Sequence, residues 1–157
     1  MFCARYISPL GPLLLTCEDN GLTGIWFDRE LEETESSHPI LEQTKRWLDD
    51  YFAGIIPERN IPVQFYGTPF QKQVWQILLT IPYGQTRTYG DIAREMAVLT
   101  GKEKMSAQAV GQAVGRNPIS ILVPCHRVMG AGGKLTGYAS GLEKKVWLLE
   151  HEKSAGH

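Results

Sequence analysis

The spacing of apolar residues changes partway along the chain, and this change divides the sequence into two parts. Residues 2–28 hold short apolar runs separated by turn sequences, among them Asp-Asn-Gly at positions 19–21, which is a strong hairpin signal. From Thr68 onward, apolar residues recur every three or four positions, as they do on one face of a helix. We therefore predict an α+β fold, with an α/β domain over residues 1–67 and a mostly helical domain over residues 68–157.

The first part is predicted to form a small sheet with one helix. Its predicted elements are strands at residues 2–7, 13–17, 22–27 and 61–65 and a helix at residues 39–52. In the second part, Thr68, Thr88 and Ser106 each stand at a helix-capping position. Because a short turn at residues 100–105 joins the second and third of these helices, the two are a helix-turn-helix candidate.

Two apolar segments near the C-terminus carry further predictions. The run at residues 119–123 is predicted to be a buried strand. A last helix is predicted over residues 141–152, with Leu142, Val146 and Leu149 facing inward.

The third predicted helix, residues 107–115, has an unusually thin surface. Five of its nine residues are Ala or Gly, and Gly111 and Gly115 each cost about 1 kcal/mol of helix stability relative to Ala. Tight packing against another helix and close approach to a nucleic-acid backbone would both require such a surface. Major-groove reading would need Arg, Asn or Lys on the helix, so binding to DNA would favour the minor groove.

Charge is distributed unevenly. Residues 1–67 contain 5 Lys and Arg against 11 Asp and Glu, a net charge of −6, whereas residues 68–157 contain 11 against 6, a net charge of +5. This asymmetry indicates either a second half that meets a polyanion or two ordinary solvated faces.

No apolar run approaches the roughly 20 residues that span a bilayer, so no membrane association is expected. Three widely spaced cysteines indicate a reduced, cytoplasmic protein, and the scattered histidines predict no metal site.

A thiol and an imidazole are adjacent at Cys125 and His126. Pro124 ends the predicted strand and fixes the bend at which the sulfur lies. A thiolate is a strong nucleophile, and a nearby histidine is the usual means of activating it. The pair alone is weak support for catalysis, because such neighbours also occur without it.

The region from Thr68 to Glu152 resembles the O6-alkylguanine-DNA alkyltransferases. The motifs that carry the resemblance are Thr-Pro-Phe at 68–70, Pro-Tyr-Gly at 82–84, Thr-Tyr-Gly at 88–90, Ala-Val-Gly at 109–111, Asn-Pro-Ile at 117–119, Pro-Cys-His-Arg-Val at 124–128, Gly-Tyr at 137–138 and Lys-Val-Trp-Leu-Leu-Glu-His-Glu at 145–152. The first part is similar to the family only in general form, as a small ribonuclease-H-like sheet with one helix.

The resemblance implies a role for each matching residue. Cys125 would be the nucleophile and alkyl acceptor, His126 would act through a water as its base, and Glu152 would orient the histidine. Tyr89 would donate to guanine N3 and help to protonate the leaving base, and Asn117 would brace the turn before the motif. Each residue also has a plainer interpretation: His126 as core packing, Glu152 as a cap or ion-pair partner, Tyr89 as a helix-start residue and Asn117 as a helix end.

A further set of residues would contact DNA or the flipped base. These are Gln108, Ala109, Gly111, Arg116, Asn117, Arg127, Val128, Tyr138, Ala139 and Ser140. Tyr138 and the backbone near Ala139 and Ser140 would wall the pocket. The main-chain carbonyls of Cys125 and Val128 would read the guanine amino group.

The function implied is direct DNA repair: the irreversible, stoichiometric transfer of an alkyl group from O6-alkylguanine in double-stranded DNA to Cys125 after minor-groove base flipping. O4-alkylthymine is a second candidate substrate. No cofactor is implied, and we expect a monomer. In family members an arginine commonly stands where this chain has Gln108, and the zinc ligands that some members carry in the N-terminal half are missing.

Three alternatives differ in mechanism. A non-catalytic alkyltransferase-like protein has tryptophan in place of Cys125, so the thiol argues against it. A cysteine hydrolase would turn over repeatedly on acyl groups, and a helix-turn-helix regulator would need a further DNA-reading domain.

Overall fold

The computed structural model describes residues 1–31, 34–58 and 60–155 and divides into two compact units. The first unit comprises residues 1–66, 118–120 and the C-terminal residues from Glu150, and the second comprises residues 67–117 and 121–149. The α+β class is confirmed. The two predicted domains remain a prediction, and residues 156 and 157, at the end of the second, lie outside the described ranges.

The first unit is built on a three-stranded antiparallel sheet. Its elements are β1 (Phe2–Ser8), β2 (Gly11–Glu18), β3 (Gly21–Trp26) and α1 (Pro39–Phe52), with the strands in the order β1-β2-β3. Alternation along β2 buries Leu13 and Leu15, and α1 packs against the sheet through Leu41 and Leu48. The predicted strands 2–7, 13–17 and 22–27 and the helix at 39–52 are confirmed.

Two short segments lie along the outer edge of β3. Val63 and Ile119 each form a single bridge to this strand, at Leu22 and Ile25 respectively. The predicted strand at residues 61–65 is therefore wrong beyond one residue pair, because Pro62, directly before the bridging Val63, has no N–H to donate.

The predicted strand at residues 119–123 is also wrong. After its single bridge the chain turns, and Ile121 takes a φ of 71°. A β-branched residue rarely adopts this left-handed region, and the run of apolar side chains gave no sign of such a bend.

The second unit is mainly helical. Its elements are α2 (Pro69–Leu78), β4 (Arg87–Thr88), α3 (Tyr89–Thr100), α4 (Ala107–Gly115), β5 (Val128–Met129) and the first part of α5 (Leu142–Ala155), with three-residue 3-10 helices at Cys125–Arg127 and Ala131–Gly133. The side chains of Thr68, Thr88 and Ser106 each accept a hydrogen bond from the backbone N–H three residues on, which confirms the predicted caps. Within the described ranges, no helix combines the length and hydropathy that crossing a bilayer requires.

The inward face of α5 differs from the predicted one. Leu142 and Val146 are 45% and 37% exposed, whereas Lys145, Leu148 and Glu152 are buried. The prediction assumed that apolar residues define the inward stripe, but hydrogen bonds at the ends of the two charged side chains allow them to lie inside.

Candidate active site around Cys125

Cys125 begins a single 3-10 turn that is fixed on both sides. Its N–H donates to the Val123 carbonyl at 2.8 Å, and the Arg127 N–H donates to the Pro124 carbonyl at 3.0 Å. Directly after the turn, β5 pairs in parallel with β4. Backbone hydrogen bonds therefore fix the turn that carries the thiol. Only 7% of Cys125 is exposed.

Three side chains of the second unit act on the Cys125 thiol. Burial raises the pKa of Cys125, whereas hydrogen bonds with the side chains of Asn117 and Tyr138 and the positive charge of Lys145 lower it. Burial is the largest of these effects, so the resting thiol is mainly protonated at neutral pH and needs a base to become a nucleophile. The surroundings nevertheless contain the donors and the charge that stabilise a thiolate once it forms.

Lys145 is the residue near the Cys125 thiol that sequence reasoning missed. The residue is fully buried, and its Nζ donates to the carbonyl oxygens of Val128 at 2.6 Å and Thr136 at 2.9 Å. Burial lowers the pKa of Lys145, and the neighbouring Cys125 raises it. The available signal was its spacing: Lys145, Leu148 and Glu152 share one helix face, and a lysine on a core face indicates a paired ammonium.

Asn117 lies between α4 and the Cys125 turn. Its Nδ2 donates to the Val123 carbonyl at 2.9 Å, and its side chain also bonds the thiol. The structure thus brings Asn117, Tyr138 and Cys125 together.

His126 and Glu152 are both buried. His126 has no exposed surface and follows Cys125 in the same 3-10 turn. Glu152 belongs to the first unit, where its Oε2 accepts a hydrogen bond of 2.7 Å from the Tyr51 hydroxyl. The predicted relay from Cys125 through His126 to Glu152 remains a prediction.

Tyr89, the first residue of α3, lies against α4. A β-carbon built at Gly111 would be 3.8 Å from two ring atoms of Tyr89, so the thin surface of α4 is in contact with this ring. On another face of α4, the Trp75 indole N–H donates to the Ala113 carbonyl at 2.8 Å. The small residues of α4 therefore serve helix packing at Gly111, whereas Gly115 has open space beside it.

The predicted DNA-contacting residues fall into an exposed group and a buried group. Exposed or half-buried are Gln108, Ala109, Gly111, Arg116, Tyr138, Ala139 and Ser140. By contrast, Arg127 is buried, donates to the Ile81 carbonyl at 2.7 Å and lies over the Tyr83 ring. The Val128 carbonyl, predicted to read the guanine amino group, already accepts from Lys145, and the Cys125 carbonyl accepts from the Val128 N–H. The DNA contacts of these residues remain predictions.

Comparisons with known proteins match nearly the whole chain. The family described as 6-O-methylguanine DNA methyltransferase, DNA binding domain, matches residues 69–154, and its ribonuclease-like domain matches residues 1–65. A methylated-DNA–protein-cysteine methyltransferase from Methanosarcina acetivorans is 46% identical over 98% of this chain and 99% of its own length. A protein of the same name from Mycobacterium leprae is 44% identical over 96% and 92%.

A solved structure agrees in fold. The crystal structure of Mycobacterium tuberculosis OGT in complex with DNA superimposes with a TM-score of 0.85 at 42% identity, covering 99% of this chain and 94% of that one. With both halves matched and relatives of this identity spanning nearly the full length, the chain belongs to the 6-O-methylguanine DNA methyltransferase family.

Proposed function

We propose that this protein repairs DNA by moving an alkyl group, methyl above all, from O6 of guanine in a duplex to the sulfur of Cys125. The observation that carries the proposal is the thiol itself, held in a nearly enclosed turn among Asn117, Tyr138 and Lys145. Full-length relatives at 44–46% identity are named methylated-DNA–protein-cysteine methyltransferases. O4-alkylthymine is a second substrate of the same chemistry.

The transfer is a displacement at carbon. Cys125 Sγ attacks the alkyl carbon, a C–S bond forms, and the bond from that carbon to guanine O6 breaks. The thiol proton passes through a water to His126, whose orientation Glu152 maintains. The electron pair of the broken bond leaves with O6, which becomes the guanine carbonyl, and N1 of the leaving guanine takes up a proton from water. Tyr89, donating to N3, stabilises the negative charge that develops on the leaving base.

The product explains why one molecule repairs one lesion. An S-alkyl cysteine is a thioether, and unlike a thioester it has no carbonyl that water can attack. The alkylated protein therefore cannot return to its starting state by hydrolysis. Each protein molecule then accepts one alkyl group and does not turn over. No cofactor takes part in the balanced step.

DNA binding is assigned to the second half of the chain. Residues 68–157 form the proposed DNA-binding and alkyl-acceptor domain, with net charge +5, and α3 and α4 form its helix-turn-helix. The exposed side of α4, where Gly115 has open space beside it, enters the minor groove, and Gln108 and Arg116 are exposed for contact. The target base must be flipped out of the stack before its O6 substituent can reach the sulfur. We also propose a cytoplasmic location, because the acceptor thiol must stay reduced.

Incubation with a duplex that contains one O6-methylguanine tests the proposed function. We expect the intact protein to gain one methyl group, located on the peptide that contains Cys125, with one methyl transferred per protein molecule at saturation. A duplex with unmodified guanine is the control and should leave the mass unchanged. Turnover beyond one lesion per molecule, or a methyl group on another residue, would contradict the proposal.

Gln108 is expected to limit base flipping, because glutamine lacks the charge and the planar stacking surface of the arginine that family members commonly carry there. Gln108→Arg should therefore raise duplex affinity and the single-turnover repair rate. Gln112→Arg is the matched control, because it adds the same charge at another exposed position of α4. If both variants gain equally, added charge alone explains the result. No gain in Gln108→Arg would refute the proposal that Gln108 limits base flipping.

A further inference from the structure

Tyr51, on the helix of the first unit, makes a buried hydrogen bond to a proposed active-site residue. Its hydroxyl donates to Glu152 Oε2 at 2.7 Å. Both residues are almost fully enclosed, at 0% and 1% exposure. A buried hydrogen bond of this kind fixes the position of the carboxylate oxygen that accepts it, because no water can replace the donor.

The ring of Tyr51 is held from several sides, so its hydroxyl is fixed in place. Trp47 stacks on it with centroids 5.5 Å apart and planes at 9°, and Phe52 meets it edge-on at 5.3 Å. His151 packs against the same ring at 5.2 Å, and its Nε2 lies 2.5 Å from the Tyr51 carbonyl oxygen. All these residues belong to the first unit. The tyrosine and the end of α5 are therefore joined by both packing and hydrogen bonding.

We propose that Tyr51 is a positioning residue for alkyl transfer: its hydroxyl holds the Glu152 carboxylate in the orientation in which that carboxylate directs His126. The inference rests on the proposed function and deepens it. Its consequence is that a residue far from the acceptor cysteine in sequence contributes to the reactivity of the thiol. A group that only filled space at this position would need no hydroxyl, since phenylalanine offers the same ring.

Tyr51→Phe tests the proposal because it removes only the hydroxyl and leaves the ring among Trp47, Phe52 and His151. We expect the single-turnover rate of methyl transfer at pH 7 to fall about tenfold, the effect of about 1.4 kcal/mol. The rate at which iodoacetamide alkylates Cys125 in the absence of DNA is measured as a function of pH. The midpoint of this pH profile should shift to higher pH. The matched control is Tyr6→Phe. The Tyr6 hydroxyl donates at 2.6 Å to Asp49, which lies on the same helix as Tyr51, and the Tyr6→Phe variant should behave as the wild type.

A double-mutant cycle separates positioning from general loosening of the fold. If Tyr51 acts through Glu152, the Tyr51→Phe, Glu152→Gln double variant should be no slower than Glu152→Gln alone. The inference would be overturned if the two substitutions lowered the single-turnover rate independently, so that their effects multiplied. It would also be overturned if the pH profile of iodoacetamide alkylation were the same for Tyr51→Phe and Tyr6→Phe. Thermal unfolding shows whether each variant is folded. Should Tyr51→Phe not fold, Glu152→Gln alone must show the alkaline shift, and its absence counts against the proposal.

The proposed function and this inference can fail separately. A wild-type protein that accepts no methyl group from O6-methylguanine would remove the repair function. The iodoacetamide profiles would still decide whether the Tyr51 hydroxyl acts on the thiol through Glu152.

Discussion

Cys125→Ser is expected to abolish methyl transfer, lowering the single-turnover rate by at least about a thousandfold. A serine hydroxyl ionises far less readily than a thiol, and its oxygen is a weaker nucleophile toward alkyl carbon. Serine keeps nearly the same shape, so the turn and its backbone hydrogen bonds should persist. The measurement is a rapid-quench time course with a methylated duplex, together with duplex affinity, which should remain close to the wild-type value.

The matched control is Cys3→Ala. Cys3 is a buried free cysteine of β1, so its replacement removes a thiol without touching the proposed site. It should leave the stoichiometry of methyl transfer at one per molecule. Repair by Cys125→Ser at the wild-type rate would eliminate Cys125 as the acceptor, and with it the mechanism proposed for this chain.

Lys145→Met is expected to slow the reaction of the thiol at neutral pH. Removing the buried positive charge raises the pKa of Cys125 still further, because the thiolate loses a stabilising partner. Below that pKa, each unit of increase reduces the thiolate fraction about tenfold. The rate of alkylation by iodoacetamide should therefore fall at pH 7. It should approach the wild-type rate at a pH above the pKa of Cys125 in both proteins. The same variant leaves the carbonyls of Val128 and Thr136 without this donor, so its unfolding temperature should also decrease.

Lys153→Met provides the control for this variant. It makes the same change at an exposed position of the same helix. Its pH profile should match that of the wild type. If Lys145→Met had an unchanged pH profile and only a lower unfolding temperature, Lys145 would be a structural residue without influence on the thiolate.

The parts of the fold that local chemistry determines could be predicted from sequence. Thr68, Thr88 and Ser106 cap their helices because a side-chain oxygen meets an N–H only three residues away, and such contacts need no knowledge of the rest of the chain. The hairpin between β2 and β3 follows from the turn sequence at residues 19–21 in the same way. Of the candidate site, Cys125 is predicted from its place beside His126, and Asn117 and Tyr138 are predicted from the motif resemblance. The structure brings the three together.

The features that prediction missed depend on contacts between distant parts of the chain. The helix spacing of Lys145 puts it on the same face as Leu148, but the carbonyl groups that receive its ammonium lie outside the helix and cannot be seen in that spacing. The backbone at Ile121 adopts a left-handed conformation that a β-branched residue disfavours, so the local sequence does not predict this bend. The partner of Glu152, Tyr51, lies 101 residues away in sequence and carries no motif of its own.

The two compact units are discontinuous in sequence, and this has a practical consequence for dissecting the protein. Residues 118–120, five residues or more before the acceptor cysteine, hydrogen-bond to Ile25 in the first unit, and the last turns of α5 also belong there. A fragment that starts at residue 68 would carry both segments without their partners, and a fragment that stops at residue 67 would leave Ile25 of β3 without its bridge to Ile119. Truncation at the family boundary therefore cuts through cooperative structure, and isolated halves should be poorer reagents than point variants of the intact chain.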